Sequence, residues 1–156
     1  MKIAVFSDTH GSTARMLETV RRVRPDRIVH LGDYERDTEK LRREFPGIPL
    51  HQVCGNCDVS PVSRLDEVVE FGPVRALLTH GHRYAVDWGR LDSLCYAAQE
   101  RGCTLALFGH THVPEHTEMG GVRLVNPGTA GQGRRRTWAL VEVFDNGGVT
   151  AEIRDL

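Results

Sequence analysis

Apolar residues in this chain gather in short runs that stop abruptly at glycine or at a side chain able to bind metal. Residues 28–33, Ile-Val-His-Leu-Gly-Asp, set the pattern. The run reads as a buried strand, Gly32 lets the backbone leave the sheet without steric cost, and Asp33 falls just past the carboxyl end. Open α/β sheets collect their ligands at that end. Four other runs stop the same way: 2–6 before Asp8-Thr9-His10, 50–54 before Gly55-Asn56-Cys57-Asp58, 74–79 before His80-Gly81-His82, and 104–108 before Gly109-His110-Thr111-His112. One such terminus is ordinary. Five converging on Asp, Asn and His predict a built site.

Between these runs the pattern predicts helices. After a turn at 8–11, Ser12 or Thr13 can cap a helix in which Met16, Val20 and Val23 share a face, with Pro25-Asp26 closing it. Residues 27–31 form the second strand. A short helix is expected over 38–45, with Leu41 and Phe45 inward, and a third strand over 48–53. Runs 67–71 and 74–78, joined by Gly72-Pro73, read as a hairpin. Leu91, Leu94, Cys95 and Ala98 hold one face of a helix expected over 87–100, and 103–108 is again a buried strand. Beyond 115 only strand and turn signals occur: Gly120-Gly121 separates two short runs, and Asp145-Asn146-Gly147-Gly148 joins strands 138–144 and 149–153. The first half is thus βαβαβ, with parallel pairing and right-handed crossovers, and the second half mostly hairpins. Two mixed sheets packed face to face with helices outside are expected, in one domain spanning 1–156.

Composition narrows the partners. A formal net charge of −1 over 156 residues gives no field to gather nucleic acid or an acidic membrane. No charged-then-apolar leader is present, and no apolar run approaches the roughly 20 residues of a membrane span. The four cysteines, Cys54, Cys57, Cys95 and Cys103, are too few and too irregular for a disulfide scaffold. A cytoplasmic, reduced, soluble protein is the expectation, with oligomeric state, including a homo-oligomer, left open.

The chemistry lies in the strand ends. In extended backbone, positions i and i+2 project to one side, so Asp8-x-His10 and His110-x-His112 can each turn two ligands towards one point. Carboxylate, amide and imidazole suit divalent Mn, Fe, Ni, Co or Zn, and the absence of thiolates from these pairs argues against a cysteine-rich structural zinc site. Asp33 is placed to bridge two ions.

Taken in order, Asp8-x-His10, Gly32-Asp33, Gly55-Asn56-Cys57-Asp58, His80-Gly81-His82 and Gly109-His110-Thr111-His112 resemble the calcineurin-like metallophosphoesterases. Within them the chain is most similar to the small single-domain phosphodiesterase branch, in which Asn126-Pro127-Gly128 also recurs. The resemblance implies an α/β (α+β) fold, a four-layer αββα sandwich of two mixed β-sheets flanked by helices. It implies one metal on Asp8, His10, Asp33 and His112, and a second on Asp33, Asn56, His80 and His110. Two ions roughly 3.5–4 Å apart would hold a bridging hydroxide for in-line attack on phosphorus. Asn56, Asp33 and His80 would serve catalysis, Asn56 by taking up charge on the phosphoryl oxygens. Manganese is the expected metal, with Ni, Co, Fe and Zn as alternatives, and a small phosphodiester the expected substrate. Larger relatives carry a histidine where this chain has Cys57, so leaving-group protonation is the step in question.

The remaining motifs have plainer readings. His30, inside a strand, is assigned to the core or sheet face, and His51 and His116 to the surface. His82 is a candidate for supporting the metal ligands or touching substrate, and Cys57 and Arg134 are further candidate substrate contacts. Cys54-x-x-Cys57 has the spacing of a redox pair but straddles a strand end instead of opening a helix. Residues 128–133 are glycine-rich but are followed by strand, so they lack the context of a dinucleotide loop. The rival function is a non-catalytic protein-binding scaffold, as in the retromer subunit that shares this fold. The complete ligand set here separates the two.

Overall fold

A computed structural model describes residues 1–156. Its first sheet has the strand order β10-β9-β1-β2-β3, with β1 (Lys2–Phe6) in the centre, β2 (Arg27–His30) and β3 (Leu50–Gln52) parallel to it, and the hairpin β9 (Thr137–Val143) and β10 (Val149–Asp155) on its other side. The second sheet runs β4-β5-β6-β8-β7: β4 (Asp66–Phe71), β5 (Val74–Thr79), β6 (Leu105–Leu107), β7 (Glu115–Met119) and β8 (Val122–Asn126).

The alternation of side chains along each strand builds the layers. Ile3, Val5, Val29, Ala139 and Val141 of the first sheet meet Ala76, Leu78, Leu105, Leu107 and Val125 of the second in one buried inter-sheet core. The intervening residues face outward. Ala4, Phe6, Ile28 and Trp138 take Met16 and Val20 of α1 (Ala14–Val23) and Leu41 of α2 (Thr38–Glu44). On the far side Leu77, Ala106, Phe108 and Leu124 take Leu94, Cys95 and Ala98 of α3 (Asp92–Glu100). Each fully buried Leu, Phe or Met contributes about 1.5–3 kcal/mol relative to exposure. The result is the expected four-layer αββα sandwich.

Two details depart from expectation. Helix α3 begins at Asp92, not at 87; the positive φ of Ala85 (54°) and Gly89 (68°) breaks the segment before it into two 3₁₀ turns. The second half is mostly hairpins, as expected, with β4 paired to β5, β7 to β8 and β9 to β10, while β5, β6 and β8 run parallel and α3 is the crossover between β5 and β6. His51 is not simply on the surface: it is partly buried, edge-on to the Phe71 ring with centroids 5.7 Å apart and 3.8 Å from Glu67. His116 is exposed, as expected.

Candidate metal centre

Every strand named above for its abrupt stop delivers its polar residue to the same edge of the sandwich. Asp8 and His10 follow β1, Asp33 follows β2, Asn56 follows β3, His80 follows β5, and His110 and His112 follow β6. Two glycines allow the close approach. A Cβ on Gly109 would overlap Ser7 Oγ and stand 2.9 Å from Asp8 Oδ2, and one on Gly32 would stand 2.6 Å from Gly55 N. The ligand residues are bent as well. Asp8 (φ 54°), His10 (43°), Asp33 (56°), His110 (72°) and His112 (59°) all adopt left-handed backbone. Such residues cost roughly 1–3 kcal/mol each and persist only where the surrounding structure imposes them.

Ligand atoms of Asp8, His10, Asp33 and His112 all lie within 4.8 Å of one another. His112 Nε2 is 3.1 Å from Asp8 Oδ1, His10 Nε2 is 3.6 Å from Asp33 Oδ2, and the two Nε2 atoms are 3.4 Å apart. Beside this group, His80 Nε2 lies 3.4 Å from Asp33 Oδ1 and 3.1 Å from Asn56 Oδ1. The His110 ring stands edge-on to His80 with centroids 5.2 Å apart. Asp33 thus faces both groups, His10 through Oδ2 and His80 through Oδ1.

The donors fit a cation. His80 Nδ1 donates to Leu31 O at 2.7 Å, which turns Nε2 towards the Asn56 and Asp33 oxygens. Asp8 is fully buried, and its Oδ1 has no hydrogen-bond partner. Burial pushes the Asp8 carboxyl up, but the His112 and His80 imidazoles and Ser7 outweigh it and hold the group below its ordinary range. The Asp8 carboxylate conversely raises His112, whereas burial and then the neighbouring His80 lower His110.

A second tier of residues holds the candidate ligands. Fully buried His30 lies between Thr9 Oγ1 (3.1 Å) and the Gly32 N–H (3.3 Å). Cys57 contributes its backbone N–H, which donates to Asp33 Oδ1 at 2.9 Å. Thr129 Oγ1 and Gly131 N–H donate to Asp8 O, and Asn126 Nδ2 donates to Gly109 O and Thr111 Oγ1. The Asn126-Pro127-Gly128 motif was the one signal that could have pointed to this tier.

Of the candidate substrate contacts, His82 joins the cluster, with its ring 5.5 Å from His80 and 6.1 Å from His110 and its Nδ1 buried without a partner. Cys57 is exposed at the rim, its Sγ 3.6 Å from Asn56 Nδ2. Arg134 lies in an exposed loop and makes no ion pair or side-chain hydrogen bond. Its neighbours are engaged elsewhere, Arg135 with Asp155 (2.7 Å) and Arg136 with Ser12 Oγ (3.4 Å). All four cysteines are free thiols, Cys54 buried and Cys57 exposed.

A two-sheet sandwich with carboxylate, amide and imidazole ligands gathered at its strand ends defines a metallophosphoesterase-like protein. Residues 1–146 match the calcineurin-like phosphoesterase superfamily domain, and the chain belongs to that family. It is 29% identical over 141 residues to a probable metallophosphoesterase of Mycoplasma genitalium, covering 88% of this chain and 82% of that one. It is 33% identical over 139 residues to a probable metallophosphoesterase of Methanothermobacter thermautotrophicus, covering 83% and 77%. Among solved structures, a Streptococcus pneumoniae protein described as a predicted phosphoesterase superposes with a TM-score of 0.75 at 25% identity, covering 99% of this chain and 97% of the other. The fold is also that of Entamoeba histolytica Vps29 complexed with Zn²⁺ (TM-score 0.79, 23% identity, 99% of both chains). No helix is long and apolar enough to cross a membrane.

Proposed function

We propose that the chain is a dinuclear metal-dependent phosphodiesterase. The carrying observation is the pair of ligand groups on either side of Asp33, with imidazole nitrogens turned towards carboxylate and amide oxygens. In this reading Asp8, His10, Asp33 and His112 hold one divalent ion, and Asp33, Asn56, His80 and His110 the other. Bound there, the ions supply Lewis acidity that activates water and offsets charge on the phosphoryl oxygens. Manganese is the proposed metal, with Ni, Co, Fe and Zn as alternatives.

The chain's own residues account for the rest. The buried Asp8 carboxylate is kept ionised, and the Cys57 N–H fixes the rotamer of Asp33. The Leu31 carbonyl accepts from His80 Nδ1 and orients the ring. Asn56 presents an amide whose N–H donors can hold a phosphoryl oxygen. The ligand set carries only the carboxylates of Asp8 and Asp33, so two divalent ions keep net positive charge that draws an anionic ester. The hydrogen-bond and ion-pair partners of the ligands include no lysine or arginine. The preference for a diester over a monoester rests on the resemblance to the phosphodiesterase branch, and an archaeal phosphodiesterase shares the fold. The four free thiols suit a reducing, cytoplasmic setting.

The Vps29 fold neighbour keeps a scaffold as the second reading. The test is the apo protein reloaded with Mn, Ni, Co, Fe or Zn and assayed on bis(p-nitrophenyl) phosphate and p-nitrophenyl phosphate. Metal-dependent turnover of the diester above the monoester is expected. Tight metal binding with turnover of neither ester would favour the scaffold.

A further inference from the structure

Beside the metal centre lies a cavity of about 210 Å³ lined by Tyr34, Glu35, Arg36, Cys57, Asp58 and Val59. One wall is the turn that follows Asp33, the other the loop that follows Asn56. Reciprocal hydrogen bonds fix them together. Asp58 accepts the backbone N–H groups of Glu35 (Oδ1, 2.7 Å) and Gly55 (Oδ2, 2.7 Å). The nearly fully buried Glu35 carboxylate accepts those of Val62 (2.6 Å) and Ser63 (3.0 Å). Both acids in the lining are therefore engaged in holding its shape. The groups left free are the Tyr34 ring, the Val59 side chain, the Cys57 thiol and the Arg36 guanidinium, which makes no ion pair.

Tyr34 is the informative member. The chain stays left-handed from Asp33 into Tyr34 (φ 69°, ψ 51°), a strained conformation for a bulky residue. That bend leaves the ring 46% exposed and 5.1 Å from His10, and the hydroxyl makes no hydrogen bond. Val59 across the cavity is 81% exposed. An aromatic face and an aliphatic side chain thus stand open at the rim of a charged metal cluster. The inner end of the cavity is set by the Cys57 N–H on Asp33 Oδ1, so a phosphoryl group at the ligands would lie next to it.

We propose that this cavity receives a flat aromatic ring carried on one arm of the phosphodiester, stacked on Tyr34 against Val59 with Arg36 at the mouth. The proposal rests on the diesterase reading and extends it to a substrate class: esters bearing a nucleobase or an aryl group. Base–aromatic stacking is sequence-tolerant, since every base has a π-face, so no single base is specified.

The test uses three diesters with a common p-nitrophenyl leaving group and a methyl, phenyl or thymidine-5′ second arm. The metal-loaded wild type is expected to show kcat/KM about tenfold higher or more for the aromatic arms than for methyl, and Tyr34→Ala and Val59→Asp to bring that ratio within about twofold. Tyr34→Phe should restore it. A gain for phenyl and thymidine alike assigns a nucleobase-compatible pocket, and a gain for phenyl alone a simple aryl pocket. A wild-type ratio near one, or one unchanged by Val59→Asp and Tyr34→Ala, would overturn the proposal. Equilibrium dialysis of thymidine 5′-phosphate separates this from failure of the underlying reading. If no ester is turned over, the diesterase reading fails, and the cavity is then judged by binding alone: retention that Tyr34→Ala and Val59→Asp weaken supports it, and indifference overturns it. Metal content of each variant guards against an indirect effect through Asp33.

Discussion

His30 Nε2 lies 3.1 Å from Thr9 Oγ1, a buried contact that ties the end of β2 to the loop carrying Asp8 and His10. Gly32 N–H donates to Nδ1 at 3.3 Å, so Nε2 carries the proton and donates to the hydroxyl, which in turn donates to Asp33 O at 3.4 Å. One neutral imidazole therefore braces two ligand loops. Burial lowers the pKa of His30 below 6.5, in keeping with a neutral ring.

Removing it should loosen both loops. His30→Ala is expected to destabilise the apo protein by about 1–3 kcal/mol, because buried partners lose their bonds, and to weaken metal binding as well. Urea unfolding and metal titration check this. Wild-type metal affinity in His30→Ala would show that the contact is only a core detail. A pH signature follows from the same ring. Below about pH 6.5 the unfolded chain takes up a proton that folded His30 refuses, so this group makes stability fall as pH drops, by at most about 1.4 kcal/mol per unit. His30→Gln should flatten the apo protein's acid limb over that window, and an unchanged slope would count against a neutral buried His30.

Asp33→Ala or Asp33→Asn should abolish turnover and lower bound metal towards one ion or none. Asp33 is the carboxylate that faces His10 through Oδ2 and His80 through Oδ1, and an amide cannot neutralise two cations. Elemental analysis with an activity assay decides. Two tightly held ions with normal turnover in Asp33→Ala would sink the dinuclear reading.

The two ions should separate by mutation. His112 stands with Asp8 and near His10, whereas His80 stands with Asn56. His112→Ala should leave one tight and one weakened site, and His80→Ala should weaken the other one. Titrations in which both variants lose both ions equally would dissolve the partition.

Cys57 should be a poor general acid. Burial, then the Asp33 carboxylate, push its thiol up to about 11, and S–H is a weak donor. The departing oxygen in phosphoryl transfer still needs its charge neutralised. Aryl diesters should therefore be cleaved well and alkyl diesters poorly, with Cys57→His flattening the dependence of log kcat/KM on leaving-group pKa and Cys57→Ala leaving the slope as it is. A large loss confined to alkyl esters in Cys57→Ala would show that the thiol does donate.

The cluster of candidate ligands was legible because each follows an apolar run, and the run and the polar residues are close in sequence. Helices α1 and α2 were legible from the spacing of Met16, Val20 and Leu41. Pairing across the chain was not. Ile3 lies opposite Val141, and Leu105 opposite Arg123, and no local pattern tells a strand which sheet it joins. The bracing tier was hidden for a related reason. His30 and Thr9 are single polar residues whose partners come from another loop, so in sequence a core histidine and a ligand-positioning one look alike. His51 was misread because the Phe71 edge that half covers it arrives from the other sheet.

The position of β9 beside β1 has a consequence for how the protein is made. Asp8, His10 and Asp33 are synthesised early, yet Asp8 is held by Thr129 and Gly131, and β1 gains its second neighbour only when residues 137–143 are available. Contacts this distant in sequence form late, after the loop entropy between them has been overcome. The contacts that hold Asp8 and flank β1 are therefore complete only once residues 129–143 have packed against the first sheet.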